Sequence, residues 1–213
     1  MLTLAIDTAT AACTVALFDG ETLVAGAGER VGRGHAERLV PMIAALPGGG
    51  RADHILVDVG PGSFTGIRVG IAAARGLGLG WGAEVAGYSS LACVAAAEFA
   101  RDPSLYPPLA VLLEGGHGEV FMQCFLPDPL RADRDLASLA PDAARRALEG
   151  MTATGDGLRW LSFEDPRSAP AGALPDAVHA LLLPAALRAL PPRPLYGRAP
   201  DAKPQARRTA PGR

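Results

Sequence analysis

The residues with the clearest chemical potential form a run of glycine, proline and hydroxyl side chains at positions 60–70. The run follows an apolar segment at positions 55–59, a predicted strand, and leads into a predicted helix rich in alanine and glycine. Unpaired backbone N–H groups at a helix start favour an anion, and glycine lets the backbone approach it closely. This glycine loop therefore predicts a phosphate or nucleotide site. The residues concerned are Gly60, Gly62, Ser63, Thr65 and Gly66.

The loop does not match the common nucleotide or nucleophile motifs. No lysine follows the glycines, as a P-loop requires, and the G-x-G-x-x-x-G spacing is one residue too long for a dinucleotide-binding fingerprint. Ser63 is flanked by Pro61 and Thr65, where a nucleophile elbow needs glycines. A simpler interpretation is that Ser63 and Thr65 cap the helix, and we favour it slightly over ligand binding.

A second candidate for ligand binding is Asp7, which is followed by Thr8 at the end of the first apolar segment. A carboxylate and hydroxyls at that point can hold a metal–phosphate group, whereas the alternative is an Asx turn that closes the strand. The histidines are far apart in sequence and form no two-histidine pair of the kind that binds zinc. They are His35, His54, His117 and His179. The sequence therefore predicts no metal site, no cofactor and no catalytic residue.

The elements that position these residues follow an α/β order. An antiparallel hairpin followed by strand–helix units predicts a mixed sheet in the first half of the chain. Its predicted strands cover residues 2–6, 14–18, 21–30, 55–59 and 85–88. Three helices are predicted: one that contains Pro41, one at residues 66–80 and one at residues 91–101. The second half predicts strands at residues 109–113, 119–125 and 151–154, and helices at residues 142–148 and 176–190, the second of which is interrupted by Pro184.

We expect two lobes and a tail. Residues 1–103 form the predicted first lobe, and a proline-containing hinge leads into a smaller second lobe at residues 104–190. The tail at residues 191–213 is rich in proline and arginine, which is typical of a solvated segment. A weak electrostatic contact with RNA or an acidic partner is the less favoured interpretation of this tail.

Two helices of the first lobe predict a protein-binding face. In the helix that contains Pro41, apolar residues recur at a spacing of three and four, and the glycine-rich helix carries small residues beside apolar ones. Glycine inside a helix costs about 0.5–1 kcal/mol relative to alanine, so repeated glycine indicates close packing against something. That something is either the protein's own sheet or a partner helix, and we favour a partner. The predicted interface residues are His35, Leu39, Met42, Ile43, Leu46, Gly66, Ile67, Gly70, Ile71, Ala74 and Leu77.

Composition restricts the class of protein. The chain has 213 residues, of which 49% are hydrophobic, and a formal net charge of −2, which is typical of a globular protein and gives no overall attraction to nucleic acid. The three cysteines form no C-x-x-C pair, so we expect free thiols in a reducing compartment. Neither a signal peptide nor a membrane-length apolar stretch is evident, and the prediction is a cytoplasmic protein.

Three segments resemble the TsaB (YeaZ) family, subunits in tRNA threonylcarbamoyladenosine biosynthesis that are also described as glycoprotease-like. They are residues 4–10, 35–41 and 60–70, with weaker matches at residues 118–121 and 194–198. The resemblance implies an actin-like (ASKHA) α/β fold of two ribonuclease-H-like lobes with mixed sheets. The second lobe is reduced.

The resemblance also implies a function. It implies a non-catalytic subunit that dimerises with and stabilises the catalytic paralogue TsaD, with the ATPase TsaE joining a larger complex and tRNA engaged only indirectly. In the family, the two helices described above form the dimer contact, and homodimers form when TsaD is absent. The alternatives are a nucleotide-binding kinase or ATPase of the same fold and, less favoured, a glycoprotease-like peptidase.

The second half departs from the family pattern. Glu-Gly-Gly-His at residues 114–117 stands where the family has Asp-Ala-Arg, and Phe121 stands where the family has tyrosine. Contacts that the family makes through this region are therefore not carried over to this chain.

Overall fold

The first half of the chain folds around a five-stranded mixed sheet. A computed structural model describes residues 1–32, 34–161 and 172–197. The strands lie in the order β3-β2-β1-β4-β5, in which the first three are antiparallel neighbours and β4 and β5 continue parallel to β1. Their bounds are β1 Leu2–Asp7, β2 Ala12–Asp19, β3 Thr22–Arg30, β4 His54–Asp58 and β5 Glu84–Tyr88. The predicted hairpin and mixed sheet are confirmed.

Three helices cover this sheet, two on one face and one on the other. The alternation of side chains along β1 shows which helix packs on which face. Leu4 and Ile6 point towards helices α1 and α2, whereas Ala5, on the opposite face, packs in a cluster with helix α3. The helix bounds are α1 His35–Ala44, α2 Phe64–Trp81 and α3 Ser90–Arg101. Pro41 lies inside α1, and Leu46 lies beyond its end.

The second half forms another five-stranded sheet in the described part of the chain. Strands β10, β6, β7 and β8 are neighbours in that order, and β9 also pairs with β7. The short strands β8 and β9 were not predicted, because two or three residues are too few to show the alternation of apolar and polar side chains that indicates a strand. The bounds are β6 Leu109–Gly116, β7 Glu119–Leu126, β8 Arg131–Ala132, β9 Ala137–Leu139, β10 Thr152–Thr154 and, for a short helix α4, Pro141–Ala147.

Helix α3 lies between the two sheets and joins them in one core. Its residues Leu91 and Cys93 are fully buried in a cluster that also contains Ala5 of the first sheet and Val111 and Phe125 of the second. Apolar side chains of α3 therefore pack against both sheets, and the helix contributes to the core of both lobes. Two lobes with mixed sheets, the second carrying less helix, confirm the predicted fold class.

The chain returns to the first lobe after the second sheet, which corrects the predicted lobe boundary at residue 190. Where a helix interrupted by Pro184 was predicted at residues 176–190, two short 3₁₀ helices occur on either side of that proline, Ala177–Leu182 and Ala185–Arg188. The backbone N–H of Ala177 donates to Thr14 Oγ1 on β2 at 2.9 Å, and Leu190 forms a bridge with Gly87 on β5. Buried Ala177 and Ala180 fill a gap beside α3, so this segment belongs to the first lobe.

The first residues of the predicted tail also pack on the first lobe. The N–H of Leu195 donates to the carbonyl of Val59 at 2.8 Å, and Arg75 donates to the carbonyl of Pro192 at 2.7 Å. Residues 198–213 of the predicted tail, with most of its arginines, lie outside the described residues, as does Arg33. Within the described part of the chain, no helix combines the length and hydropathy that a membrane crossing requires.

Candidate functional site

The glycine loop joins β4 to α2, and its serine caps the helix. Ser63 is the residue before the first helical position, and its Oγ accepts a hydrogen bond from the N–H of Gly66 at 3.2 Å. Thr65 lies inside the first turn of α2 and is exposed. Ser63 therefore plays the capping role that the sequence favoured, and Thr65 does not share it.

The glycines let the loop approach the protein's own backbone. The N–H of Ser63 donates to the carbonyl of Ala9 at 2.6 Å, and Thr8 Oγ1 donates to the carbonyl of Gly66 at 2.8 Å. A Cβ at Gly62 would lie 2.0 Å from the Ala9 carbonyl oxygen, and one at Gly66 would lie 2.0 Å from that of Thr8. The turn after β1 therefore occupies the space beside Gly62 and Gly66 where the sequence predicted a bound phosphate.

Asp7 and Thr8 lie in this closed junction and are fully buried. Asp7 Oδ1 accepts the N–H of Ala9 at 2.9 Å, which is the Asx turn that the sequence left as an alternative. Neither side chain faces an open ligand site, so the interpretation of Asp7 and Thr8 as metal–phosphate ligands is corrected. The hydroxyl of Thr8 is instead used to hold the start of α2.

Asp58, the last residue of β4, is a buried carboxylate that the sequence analysis missed. Its Oδ1 accepts the N–H of Gly60 at 2.7 Å and the hydroxyl of Ser90, at the start of α3, at 2.7 Å. Burial raises the pKa of Asp58 to about 6, and burial together with the charge of Asp58 raises the pKa of Asp7 well above its ordinary value. Parallel pairing of β1 and β4 places the carboxyl ends of both strands side by side, and this is the feature from which the proximity of Asp58 to Asp7 could have been predicted.

His35 has a structural role inside the first lobe. The sequence placed it at the predicted interface, but the side chain is buried, and its Nε2 lies 2.9 Å from the carbonyl oxygen of Thr10 and 3.2 Å from that of Ala12. The imidazole therefore ties the start of α1 to the turn between β1 and β2.

Most of the predicted interface residues are packed against the first sheet. The regular spacing along α1 and α2 marks the sides of the helices that face the core, where an apolar residue gains most from leaving water. Met42 and Leu77 are half-buried. The residues that are buried in the lobe itself, and so are not available to a partner, are Leu39, Ile43, Leu46, Gly66, Ile67, Gly70, Ile71 and Ala74.

The outer sides of the same two helices are exposed and contain small and apolar residues. On α1, Val40 is 56% exposed, and on α2, Leu79 is 89% exposed, with exposed Ala72 and Gly76 on earlier turns of α2. A Cβ added at Gly76 would meet nothing within 4 Å. We call these exposed positions of the two neighbouring helices, Val40, Ala72, Gly76 and Leu79, the outer α1–α2 face.

A cleft of about 840 Å³ lies between the two lobes, beside the closed loop. The guanidinium of Arg68 lies over the ring of Phe64, 3.5 Å from its centroid, and donates to the hydroxyl of Tyr196 at 2.9 Å. Asp156 lines the opposite side with Glu114, whose N–H donates to Asp156 Oδ1 at 3.1 Å. Burial raises the pKa of Asp156 to about 6.

The charges in the cleft do not favour a polyphosphate. Glu114 pairs with Arg159, and Arg68, an arginine that lines the cleft, is already held by two aromatic side chains. An incoming phosphate would meet the carboxylates of Glu114 and Asp156. The residues that depart from the family pattern, 114–117 and Phe121, line this cleft as well.

Comparisons with known proteins match TsaB proteins and the family model of TsaD. The profile of the family described as "TsaD: tRNA N6-adenosine threonylcarbamoyltransferase" matches residues 28–127. The tRNA threonylcarbamoyladenosine biosynthesis protein TsaB of Haemophilus influenzae is 30% identical over 200 residues, which cover 84% of this chain and 83% of that protein. TsaB of Escherichia coli is 43% identical over 103 residues, covering 45% of this chain and 43% of that protein.

A solved structure gives the same result. YeaZ from Pseudomonas aeruginosa superposes with a TM-score of 0.74 at 28% sequence identity, over 85% of this chain and 89% of that one. The two-lobed fold and the alignment with a TsaB protein over 84% of this chain lead to one conclusion. This chain belongs to the TsaB (YeaZ) family.

Proposed function

We propose that this chain is a non-enzymatic subunit of the machinery that makes N6-threonylcarbamoyladenosine in tRNA next to the anticodon. The names of its TsaB relatives support the role in this biosynthesis. The observation that carries the non-enzymatic role is the glycine loop, whose Ser63 and Gly66 N–H groups bond within the chain. A kinase or ATPase needs such groups to be open to phosphate, and a serine peptidase needs a hydroxyl that is not engaged in capping a helix.

We further propose that the outer α1–α2 face binds the catalytic paralogue TsaD. Small residues at Ala72 and Gly76 let another helix approach closely, and Val40 and Leu79 supply apolar area at its edges. In this proposal the chain stabilises TsaD by contact, TsaE joins the pair in a larger complex, and tRNA is engaged indirectly through the partners. The same face would form a homodimer when TsaD is absent, and the complex would assemble in the cytoplasm.

The substitution Ala72→Arg tests this face. Residue 72 is exposed on α2, so arginine there leaves the fold intact but places a long charged side chain in the contact. We expect association with TsaD, measured by size-exclusion chromatography and calorimetry of the mixed proteins, to weaken at least about tenfold, the equivalent of about 1.4 kcal/mol.

Ala100→Arg is the matched control. Ala100 is also exposed on a helix, but on α3, away from the outer α1–α2 face. This variant should bind TsaD as the parent chain does, and both variants should keep the parent's thermal midpoint. Normal binding by Ala72→Arg would show that the partner uses another surface.

A further inference from the structure

Two buried carboxyl groups meet where the first sheet, the glycine loop and α3 join. Asp7 ends β1 and Asp58 ends β4, and these strands are parallel neighbours in which Ile6 pairs with Val57, one residue before each aspartate. Both side chains have no exposed surface. Each uses Oδ1 to accept hydrogen bonds from neighbouring groups, as described above.

The second oxygen of each carboxyl group has no donor. Among the described residues, Oδ2 of Asp7 and Oδ2 of Asp58 are buried and lack a hydrogen-bond partner. Two ionised carboxylates side by side in an apolar interior would repel each other strongly and also lose their hydration. A proton on one of them turns the same arrangement into a hydrogen bond between an acid and a carboxylate, which satisfies both oxygens.

We propose that Asp7 and Asp58 share one proton at neutral pH, and that this acid–carboxylate pair keeps the glycine loop closed. Asp7 carries the proton and donates it to ionised Asp58. Loss of that proton leaves two like charges in contact, and the strand ends must then separate or admit water. The proposal concerns this fold alone and does not depend on a partner.

The pKa directions agree with the geometry. Burial is the largest cause that raises the pKa of Asp7, followed by the charge of Asp58 and the hydrogen bond between them. Burial raises the pKa of Asp58 to about 6, and its hydrogen bonds with Asp7, Gly60 and Ser90 oppose that rise. The pKa of Asp7 is thus raised by Asp58, as expected where Asp7 holds the proton of the pair.

In the part of the chain that the structure describes, no positive charge is among the influences on the pKa of Asp7 or Asp58. The charge of Asp176 also raises the pKa of Asp7, and three neighbouring groups stay neutral, because burial and the charge of Asp7 raise their pKa values. Helix α2 presents Gly66 and Gly70, and the His35 imidazole of α1 is bonded to two carbonyl groups. The three neutral groups are Cys13 on β2, Tyr88 on β5 and Cys93 on α3.

The pair is connected directly to the loop. Asp58 holds the N–H of Gly60 and the hydroxyl of Ser90, and Asp7 holds the N–H of Ala9, whose carbonyl in turn accepts the N–H of Ser63. Separation of the two carboxyl groups therefore pulls on both ends of the loop. The start of α2, which Ser63 caps, is the element expected to loosen.

The sign of the pH dependence follows from the raised pKa values. A group whose pKa is higher in the folded than in the unfolded chain contributes stability that is complete below the unfolded pKa and is lost as pH rises through the folded pKa. The contribution of Asp58 is lost around pH 6. That of Asp7 is lost as pH rises through its own raised pKa, in a titration linked to that of Asp58.

Carboxyl carbon NMR on the intact chain is the direct test, since it needs no variant. We expect one of the two aspartates to remain protonated at neutral pH and to titrate in the alkaline range. In the same range the Ser63 amide should exchange about tenfold faster than the change in its intrinsic rate explains, the equivalent of about 1.4 kcal/mol of lost protection. Two ionised carboxyls at neutral pH would overturn the proposal, as would a loss of Ser63 protection on dialysis against EDTA, which would indicate a bound cation instead.

The substitution Asp7→Asn gives an independent test. An asparagine amide can donate to Asp58 and accept from Ala9 but has no proton to lose, so the alkaline acceleration at Ser63 should disappear. Asp176→Asn is the control, since it removes the nearby third carboxylate and keeps the pair, and it should retain the acceleration. An unchanged alkaline response in a folded Asp7→Asn protein would also overturn the proposal.

Discussion

At the scale of single residues, the glycines of α2 illustrate how one residue type serves two different purposes. Gly66 lies against the carbonyl oxygen of Thr8, whereas Gly76, three turns later, faces open space. Both lie in the same helix, so helix propensity favours alanine at each position, most fully at the interior position 76. A large loss of stability at position 66 would therefore report the close approach of the first turn.

We predict opposite effects for the two alanine substitutions. Gly66→Ala should lower the free energy of unfolding by about 3 kcal/mol, because its Cβ would overlap a backbone atom that cannot move independently. Gly76→Ala should raise it by about 0.5–1 kcal/mol. Urea denaturation measures both values, and similar changes in the two variants would contradict the packing described for the loop.

At the scale of elements, the segment at residues 190–197 acts as a strap between the lobes. It is bonded to the first lobe at Gly87 and Val59, and Tyr196 receives the guanidinium of Arg68. At its end, a Cβ on Gly197 would lie 2.5 Å from the ring of Phe121 in the second lobe. The strap thus closes one side of the cleft by packing a glycine against an aromatic face.

The contact between Gly197 and Phe121 can be tested by a double-mutant cycle. Gly197→Ala should lower the free energy of unfolding by about 1–2 kcal/mol, because the methyl group would displace the ring. The cost should be smaller in a Phe121→Leu background, where the ring is absent. Equal costs in both backgrounds, measured by urea denaturation, would mean that the strap does not press on residue 121.

At the scale of the whole molecule, the two lobes share a core, so we predict that they unfold together. Leu91 and Cys93 of α3 pack in one cluster with residues of both sheets, and the return of the chain at residues 177–197 adds a second connection. If one lobe unfolded alone, the apolar side chains that it covers on the other lobe would be exposed to water, so unfolding of the two lobes should be cooperative.

The two tryptophans provide a probe in each lobe. Trp81 lies at the end of α2, and Trp160 lies in a 3₁₀ helix of the second lobe at Asp156–Leu161. Trp81→Phe and Trp160→Phe each leave a single fluorophore. We expect each variant to give one urea midpoint that coincides with the midpoint of its own circular dichroism signal. Separate midpoints within a variant would show that the lobes unfold independently.

The sequence by itself determined the order of the main elements, the mixed first sheet and the family. These depend on local signals: the apolar strands, the turn at residues 19–20, the Ser63 cap and the small residues of α2 are visible in short windows. It also located the buried stripes of α1 and α2 correctly as apolar faces, but it assigned them to a partner, because periodicity shows which side of a helix is apolar and not what covers it.

Only the tertiary structure decided what lies against the glycine loop, which carboxylate joins Asp7 and where the last segment packs. Each answer is a contact between residues distant in sequence: Ala9 with Ser63, Asp7 with Asp58, and Leu195 with Val59. A free phosphate cradle and a loop filled by the protein's own turn need the same glycines, because both require a backbone atom to approach closely. The physical difference between them is the position of the Thr8–Ala9 backbone, which no local pattern encodes.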